Sequence, residues 1–290
     1  MQRVLYILSY SLLWLLSILP MWILYILSNG LYLVAYYLIG YRKKTVRENL
    51  SLVLSEKTEA ERKTIEKQFY KHLCDLIVET VKTISISEAE MKERYTVSNP
   101  ELLERYFKAG RSTLVFCGHY ANWEWSSIIN RLMPHKGYGV YKSLDNPSFN
   151  TLVKNIRSRF GATIITNKQV VKVLFRKAKE GVKTTTLIVA DQTPRPGNFK
   201  HRDTFMGIKV PVFTGTEELS KRLDFVALYL KTEKVKRGYY KATFIPLAED
   251  PAAHPNFELT RMFLSEIEKQ IHEAPQFYLW SHKRWKHREK

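Results

Sequence analysis

The chain has 290 residues, 45% hydrophobic and 26% charged, with a formal net charge of +18. That length holds a membrane element and one globular domain with a full core, and the balance excludes both a disordered chain and one buried wholly in lipid. The excess of cations calls for an acidic partner, which can be nucleic acid, an anionic membrane, a phosphorylated substrate or an acidic carrier protein.

Arg3 and Arg42 bracket a stretch without a single charge. Residues 4–27 are long enough to span a hydrocarbon layer of roughly 30 Å. No small-x-small cleavage site follows, so a membrane anchor is expected in place of a signal peptide. Pro20 and Ser28-Asn29-Gly30 interrupt the run, which predicts one span over 4–27 and a separate interfacial helix over 31–39, where Tyr32, Tyr36 and Tyr37 suit headgroup depth. Arg42, Lys43, Lys44 and Arg47 follow, against Arg3 alone on the far side, and this bias places the rest of the chain in the cytoplasm. The expected division is therefore an anchor over 1–41 and a catalytic domain over 42–290.

Residues 45–83 carry a helical pattern broken near 55–59, where Thr58-Glu59-Ala60-Glu61 has the form of a capped start. A helix over 100–110 precedes an alternation of β-rich runs at 112–117, 139–141, 162–165 and 184–190 with helical patterns at 125–132, 147–160 and 168–180. Paired strands at 225–231 and 238–246, a helix over 256–272 and a last strand at 276–280 complete the chain. Strands alternating with helices predict an α/β fold, a mainly parallel sheet flanked by helices, behind an N-terminal membrane helix. Cys74 and Cys117 both sit in apolar context and read as reduced core residues.

Chemistry concentrates where the apolar run 113–117 ends, at Gly118-His119-Tyr120-Ala121-Asn122-Trp123-Glu124. On one ideal helix the five steps from His119 to Glu124 amount to about 500°, so the two side chains diverge. They converge only with His119 in the turn after the strand and Glu124 on the following helix, with Gly118 allowing a tight corner. His119 then acts as general base, Glu124 orients it, and Asn122 is a further candidate contact. Arg157 and Arg159, ahead of Phe160-Gly161, can bind an anion bidentately, Arg159 being expected nearer the strand end. Asp191-Gln192 stands after 186–190, where ligands collect in α/β sheets. The segments 205–207 and 210–215 read as an apolar loop.

In this order and spacing the residues resemble the bacterial lipid A biosynthesis acyltransferases, the lauroyl and myristoyl transferases of the wider lysophospholipid acyltransferase superfamily. The likeness runs nearly end to end. It takes in the anchor, Arg42-Lys43-Lys44, the H-x4-E box, Asp145-Asn146-Pro147, Arg157-x-Arg159-Phe160-Gly161, Asp191-Gln192, Phe205-Met206-Gly207 and the closing segment 276–285. Tyr120 and Met206 stand where familiar members often carry Phe. The resemblance implies a glycerol-phosphate-acyltransferase-like fold and transfer of a fatty acyl chain from an acyl carrier protein thioester to a hydroxyl of a lipid A precursor. His119 and Glu124 are then the catalytic pair, and Arg157, Arg159, Asp191, Gln192 and Asn122 bind substrate. It implies no cofactor and no metal, and a location at the cytoplasmic side of a bacterial inner membrane.

Three other readings stand beside this one: an acyltransferase acting on another lyso-lipid or aminolipid, a membrane-bound thioesterase, and a tethered binder of anionic lipid or nucleic acid. The chain has no G-x-S-x-G element for an esterase nucleophile. Its basic residues are spread out and not gathered in a nucleic-acid module, so no nucleic-acid partner is expected.

Overall fold

The computed structural model describes the backbone of residues 2–289 and the side chains of residues 8–289. The side chains of Arg3 and Val4, where the expected span begins, lie outside that range. Helix α1 (Gln2–Ile18) ends ahead of Pro20, which has no N–H to continue it. Helix α2 (Met21–Leu33) then runs without a break into one π-helical stretch, Val34–Ile39. The left-handed Gly40 closes it, with the Tyr41 N–H donating to the Ala35 carbonyl at 3.0 Å. The expected interruption at Ser28-Asn29-Gly30 is absent. Pro20 alone divides the hydrophobic region, so 21–39 forms one rod in place of the separate 31–39 helix. Among the described residues it is also the one helix long and apolar enough to cross a bilayer.

Helices α3 (Lys43–Val53) and α4 (Glu59–Lys82) follow. The Thr58 side chain accepts from the Glu61 N–H while Glu61 reaches back to the Thr58 N–H, the reciprocal cap anticipated there. The remaining elements are α5 (Glu88–Arg94), β1 (Tyr95–Val97), α6 (Glu101–Lys108), β2 (Thr113–Cys117), the 3₁₀ helix Glu124–Arg131, β3 (Lys136–Tyr141), α7 (Pro147–Ser158), β4 (Thr163–Thr166), α8 (Val170–Lys179) and β5 (Thr184–Val189). After them come β6 (His201–Phe205), β7 (Ile208–Val212), α9 (Gly215–Leu223), β8 (Val226–Lys236), β9 (Tyr239–Ala248) and α10 (Glu258–Glu273).

Seven strands form one sheet in the order β1-β9-β8-β2-β5-β3-β4, parallel at every pairing except the β8–β9 hairpin. Strand β2 lies at its centre and is buried along its whole length, so it reads as an unbroken apolar run with no alternation. Helices α8 and α9 press Val170, Leu174 and Leu219 against Leu114 on one face. On that same face Phe263 of α10 packs on Phe116 with ring centroids 5.4 Å apart. Helix α4 and the 3₁₀ helix cover the other face, where the Trp125 indole N–H donates to the Glu79 carbonyl.

Two expectations from sequence fail here. Residues 276–280 are not a strand: Pro275–Phe277 is a 3₁₀ turn, followed by a single antiparallel bridge from Tyr278 to Tyr120. Of the apolar loop expected over 205–207 and 210–215, the part up to Val212 belongs to a β-hairpin, β6–β7, turning on Met206 and Gly207, both at positive φ. Its paired turn conformation explains the Gly, which takes φ > 0 at no steric cost.

Candidate active site

The central feature follows from sheet register. Strands β2 and β5 are parallel neighbours with Cys117 opposite Val189. The backbone pairing continues one step further, the Ala190 N–H donating to the Cys117 carbonyl. Two residues past each strand end therefore stand side by side, and these are His119 and Asp191. His119 Nδ1 lies 2.6 Å from Asp191 Oδ1. The Asp191 side chain has no exposed surface, while that of His119 retains 18%. Burial by itself would raise the Asp191 carboxyl, but the His119 charge, the hydrogen bonds from His119 and the nearby Arg284 outweigh it and hold the group below its ordinary range. With an ionised acceptor at Nδ1, the proton belongs there and Nε2 keeps its lone pair. Gln192 Nε2 faces that atom at 3.1 Å.

This corrects the expected partner. Glu124 opens the 3₁₀ helix, as the spacing argument required, but it does not bond His119. Its carboxylate accepts from Arg157 at both oxygens, at 2.8 and 2.5 Å, and from the Trp123 indole at 3.1 Å. Burial would raise its carboxyl, yet Arg157 holds it down. Helix α7 delivers Arg157 into the site. Arg159, expected to be the nearer of the two, instead sits exposed at the helix end and donates to the Ile86 carbonyl at 2.8 Å. The difference is rotational, since two helical steps turn a side chain by about 200°.

Asn122, expected as a substrate contact, is turned into the interior. It is fully buried, its Oδ1 caps the Trp125 N–H at 3.0 Å, and its Nδ2 donates to Glu79 at 2.7 Å. It braces the turn that carries His119. So does Ala121, held at φ 49° with its N–H bonded to the Phe277 carbonyl. Gly118 is required for a different reason from the one anticipated. A Cβ there would lie 2.0 Å from Ile267 Cδ1, so the absence of a side chain, and not a left-handed backbone, lets α10 approach.

His119, Trp123, Glu124, Arg157 and Gln192 line one end of a cavity of about 700 Å³. The cavity continues as an apolar trough over the sheet. Val115, Leu187, Gly139 and Ile164 are consecutive partners across β2, β5, β3 and β4, and all four line it. Gly137 and Gly139, alternate residues of β3, point to that face with no side chain: Gly139 deepens the floor beside Ile164, while Gly137 lets Asn130 and Met133 close over the strand, a Cβ there lying 2.0 Å from Asn130 Oδ1. The arrangement combines a base with a fixed tautomer, a neutralised acid–arginine pair and a long greasy slot.

Sequence reasoning missed three residues around Asp191. Arg284 is buried beside it, donating to Thr193 and the Pro211 carbonyl at 3.1 Å each. Burial and the neighbouring Asp191 charge both suppress ionisation of the Tyr278 hydroxyl. Burial lowers His282 to about 4, which keeps it neutral. The dense run of aromatic and basic residues at 277–285 was the one available signal. Burial pushes both thiols up, Cys74 to about 11, which leaves no thiolate beside His119. A family model described as bacterial lipid A biosynthesis acyltransferase matches residues 1–287, and no curated protein matches the chain.

Proposed function

The chain belongs to the bacterial lipid A biosynthesis acyltransferase family, and on that premise we propose that it moves a fatty acyl chain from an acyl carrier protein thioester to a hydroxyl of a lipid A precursor, with His119 as general base. The observation that carries the reading is the His119–Asp191 pair, 2.6 Å apart, at the head of an apolar slot. His119 Nε2 takes the proton of the acceptor hydroxyl, whose oxygen attacks the thioester carbonyl. The tetrahedral oxyanion collapses, the carbon–sulfur bond breaks, and the imidazolium returns its proton to the departing thiolate. Asp191 holds the tautomer throughout and offsets the positive charge on the ring.

Gln192 occupies the Nε2 lone pair at rest. It turns aside to admit the hydroxyl, and its amide N–H groups then lie within reach of the developing oxyanion. Glu124 acts without contact, its charge favouring the imidazolium, and Arg157 keeps that carboxylate ionised. The trough across Gly139 and Ile164 takes the acyl chain. The +18 charge matches an acidic carrier protein, a phosphorylated glycolipid and the anionic cytoplasmic face of the inner membrane.

The test incubates the purified protein with an acyl carrier protein thioester and the lipid acceptor and looks for the acceptor gaining one acyl group by mass. His119→Ala should abolish the gain with the fold intact. Near-normal turnover by that variant would overturn the mechanism.

A further inference from the structure

The helix that is long enough to cross a membrane is fastened along its whole length to the catalytic body. Its buried stripe is Met21, Leu24, Ser28, Tyr32 and Tyr36, at helical spacing on one side. Polar ties bind that side at successive turns. The Lys82 ammonium donates to the Leu19 carbonyl at 3.0 Å, Tyr25 to Glu79 at 2.8 Å and Ser28 to Asp75 at 2.8 Å. Arg237, from the β8–β9 turn, reaches Asn29 at 2.9 Å, and the Tyr36 ring packs on Tyr70 with centroids 5.2 Å apart. Helix α4 therefore lies antiparallel to α2, with the charges of Asp75, Lys82, Lys234 and Arg237 along the seam.

A rod held this way cannot stand across a bilayer unless it carries those charges and the β8–β9 hairpin into hydrocarbon, where ionised side chains are strongly disfavoured. Its opposite side is wholly different. Trp22, Ile26, Leu33, Leu38 and Ile39 are all more than half exposed, Leu38 reaching 79%. Helix α1 adds Leu8, Leu12 and Leu15 at 63%, 59% and 54%. At the C-terminal end of this apolar face stand Tyr37, Tyr41, Arg42 and Lys44, all exposed. One apolar side, aromatic residues at its border and a basic rim match an anionic lipid surface.

We infer that the α1–α2 unit lies in the plane of an anionic bilayer, its exposed side sunk among the headgroups and upper acyl chains, and does not span it. The pose also orients the slot. Helix α1 packs against α7, which carries Arg157 and Val153 of the slot wall and shows Phe149 to the outside. Leu144, also a wall residue, is exposed beside it. The slot thus opens next to the sunken face, so a lipid acceptor enters sideways from the bilayer. That last step rests on the lipid acceptor proposed above; the pose itself does not.

The test measures depth. Single Trp22→Cys, Ile26→Cys, Leu33→Cys and Leu38→Cys variants of the full chain carry a nitroxide label, the two native cysteines being buried. In vesicles of phosphatidylethanolamine and phosphatidylglycerol, oxygen and nickel relaxation give the depth of each label. An in-plane helix puts all four at one shallow depth, about 5–10 Å. A spanning helix separates Trp22 from Leu38 by about 24 Å along the normal, and that gradient would overturn the inference. Arg42→Gln with Lys44→Glu should weaken binding to these vesicles at least tenfold and leave neutral phosphatidylcholine vesicles unaffected. Equal weakening on both would remove the anionic surface from the proposal. Neither readout involves turnover, so failure of the acyl-transfer reading, seen in the mass assay, remains separable.

Discussion

Asp191→Asn is the substitution that separates the two carboxylates of the site. In the native pair the buried carboxylate accepts from His119 Nδ1 at 2.6 Å, and the ring proton is fixed on that atom. An asparagine can present its NH₂ to Nδ1, which moves the ring proton to Nε2. Gln192 does not resist the change, because its amide can turn to put oxygen toward Nε2 across the same 3.1 Å. The variant then rests comfortably with its base already protonated. Loss of the working tautomer in a comparable histidine–aspartate pair costs about 10⁴ in rate, or about 5 kcal/mol of transition-state stabilisation. Asp191 does not line the cavity, so KM for donor and acceptor should hardly move while kcat falls by about 10³–10⁴. Glu124→Gln should differ in kind. It sits in the cavity wall and answers to Arg157, so the expected signature is a raised KM and a smaller loss in kcat. Steady-state kinetics with a carrier-protein thioester and a detergent-dispersed acceptor read both. Retention of kcat within tenfold by Asp191→Asn, or a larger kcat loss in Glu124→Gln, would refute the assignment of the orienting role to Asp191.

Arg157→Ala should cut activity at least 100-fold by leaving the buried Glu124 carboxylate without its cation, with Arg157→Lys a partial rescue, since a point charge cannot reproduce the planar fork. Arg159→Ala should stay within a few-fold of the parent, and parallel assays of the three variants decide the ranking. Gly139→Val fills the trough floor opposite Ile164 Cδ1, already 3.0 Å from a Cβ at that position, so it should shift preference toward shorter acyl chains in a mixed-donor competition scored by mass spectrometry. Glu79 is fully buried, and burial pushes its carboxyl up from 4.5 to about 7. The fold thus holds a proton that the unfolded chain releases near 4.5, and stability should fall as pH rises through that window, by about 3 kcal/mol in total. Glu79→Gln should flatten this segment of the urea-denaturation profile, the Tyr25 hydroxyl turning to accept from the new amide. An unchanged slope would show that Glu79 is already ionised through its contacts with Asn122 and Tyr240.

The local pattern of the chain determined a good deal. Pattern and capping placed β2, α4 and α7 within a few residues of their observed ends, because an unbroken apolar run, Thr58 three residues before Glu61 and the helical periodicity from Pro147 express backbone preferences that act over a few residues. His119 at the end of a buried strand was legible for the same reason. What the sequence could not state is which carboxylate meets that histidine. Glu124 is five residues away and Asp191 is 72 away. The choice is made by the parallel register that sets Cys117 against Val189, a long-range pairing with no local signature. The same holds for the anchor. Composition shows that residues 21–39 are apolar enough to enter a bilayer, but Ser28, Tyr25 and Asn29 acquire meaning only when α4 and Arg237 come to lie against them. Hydropathy counts residues one at a time, whereas the orientation of a helix in lipid is fixed by what its other side is already holding.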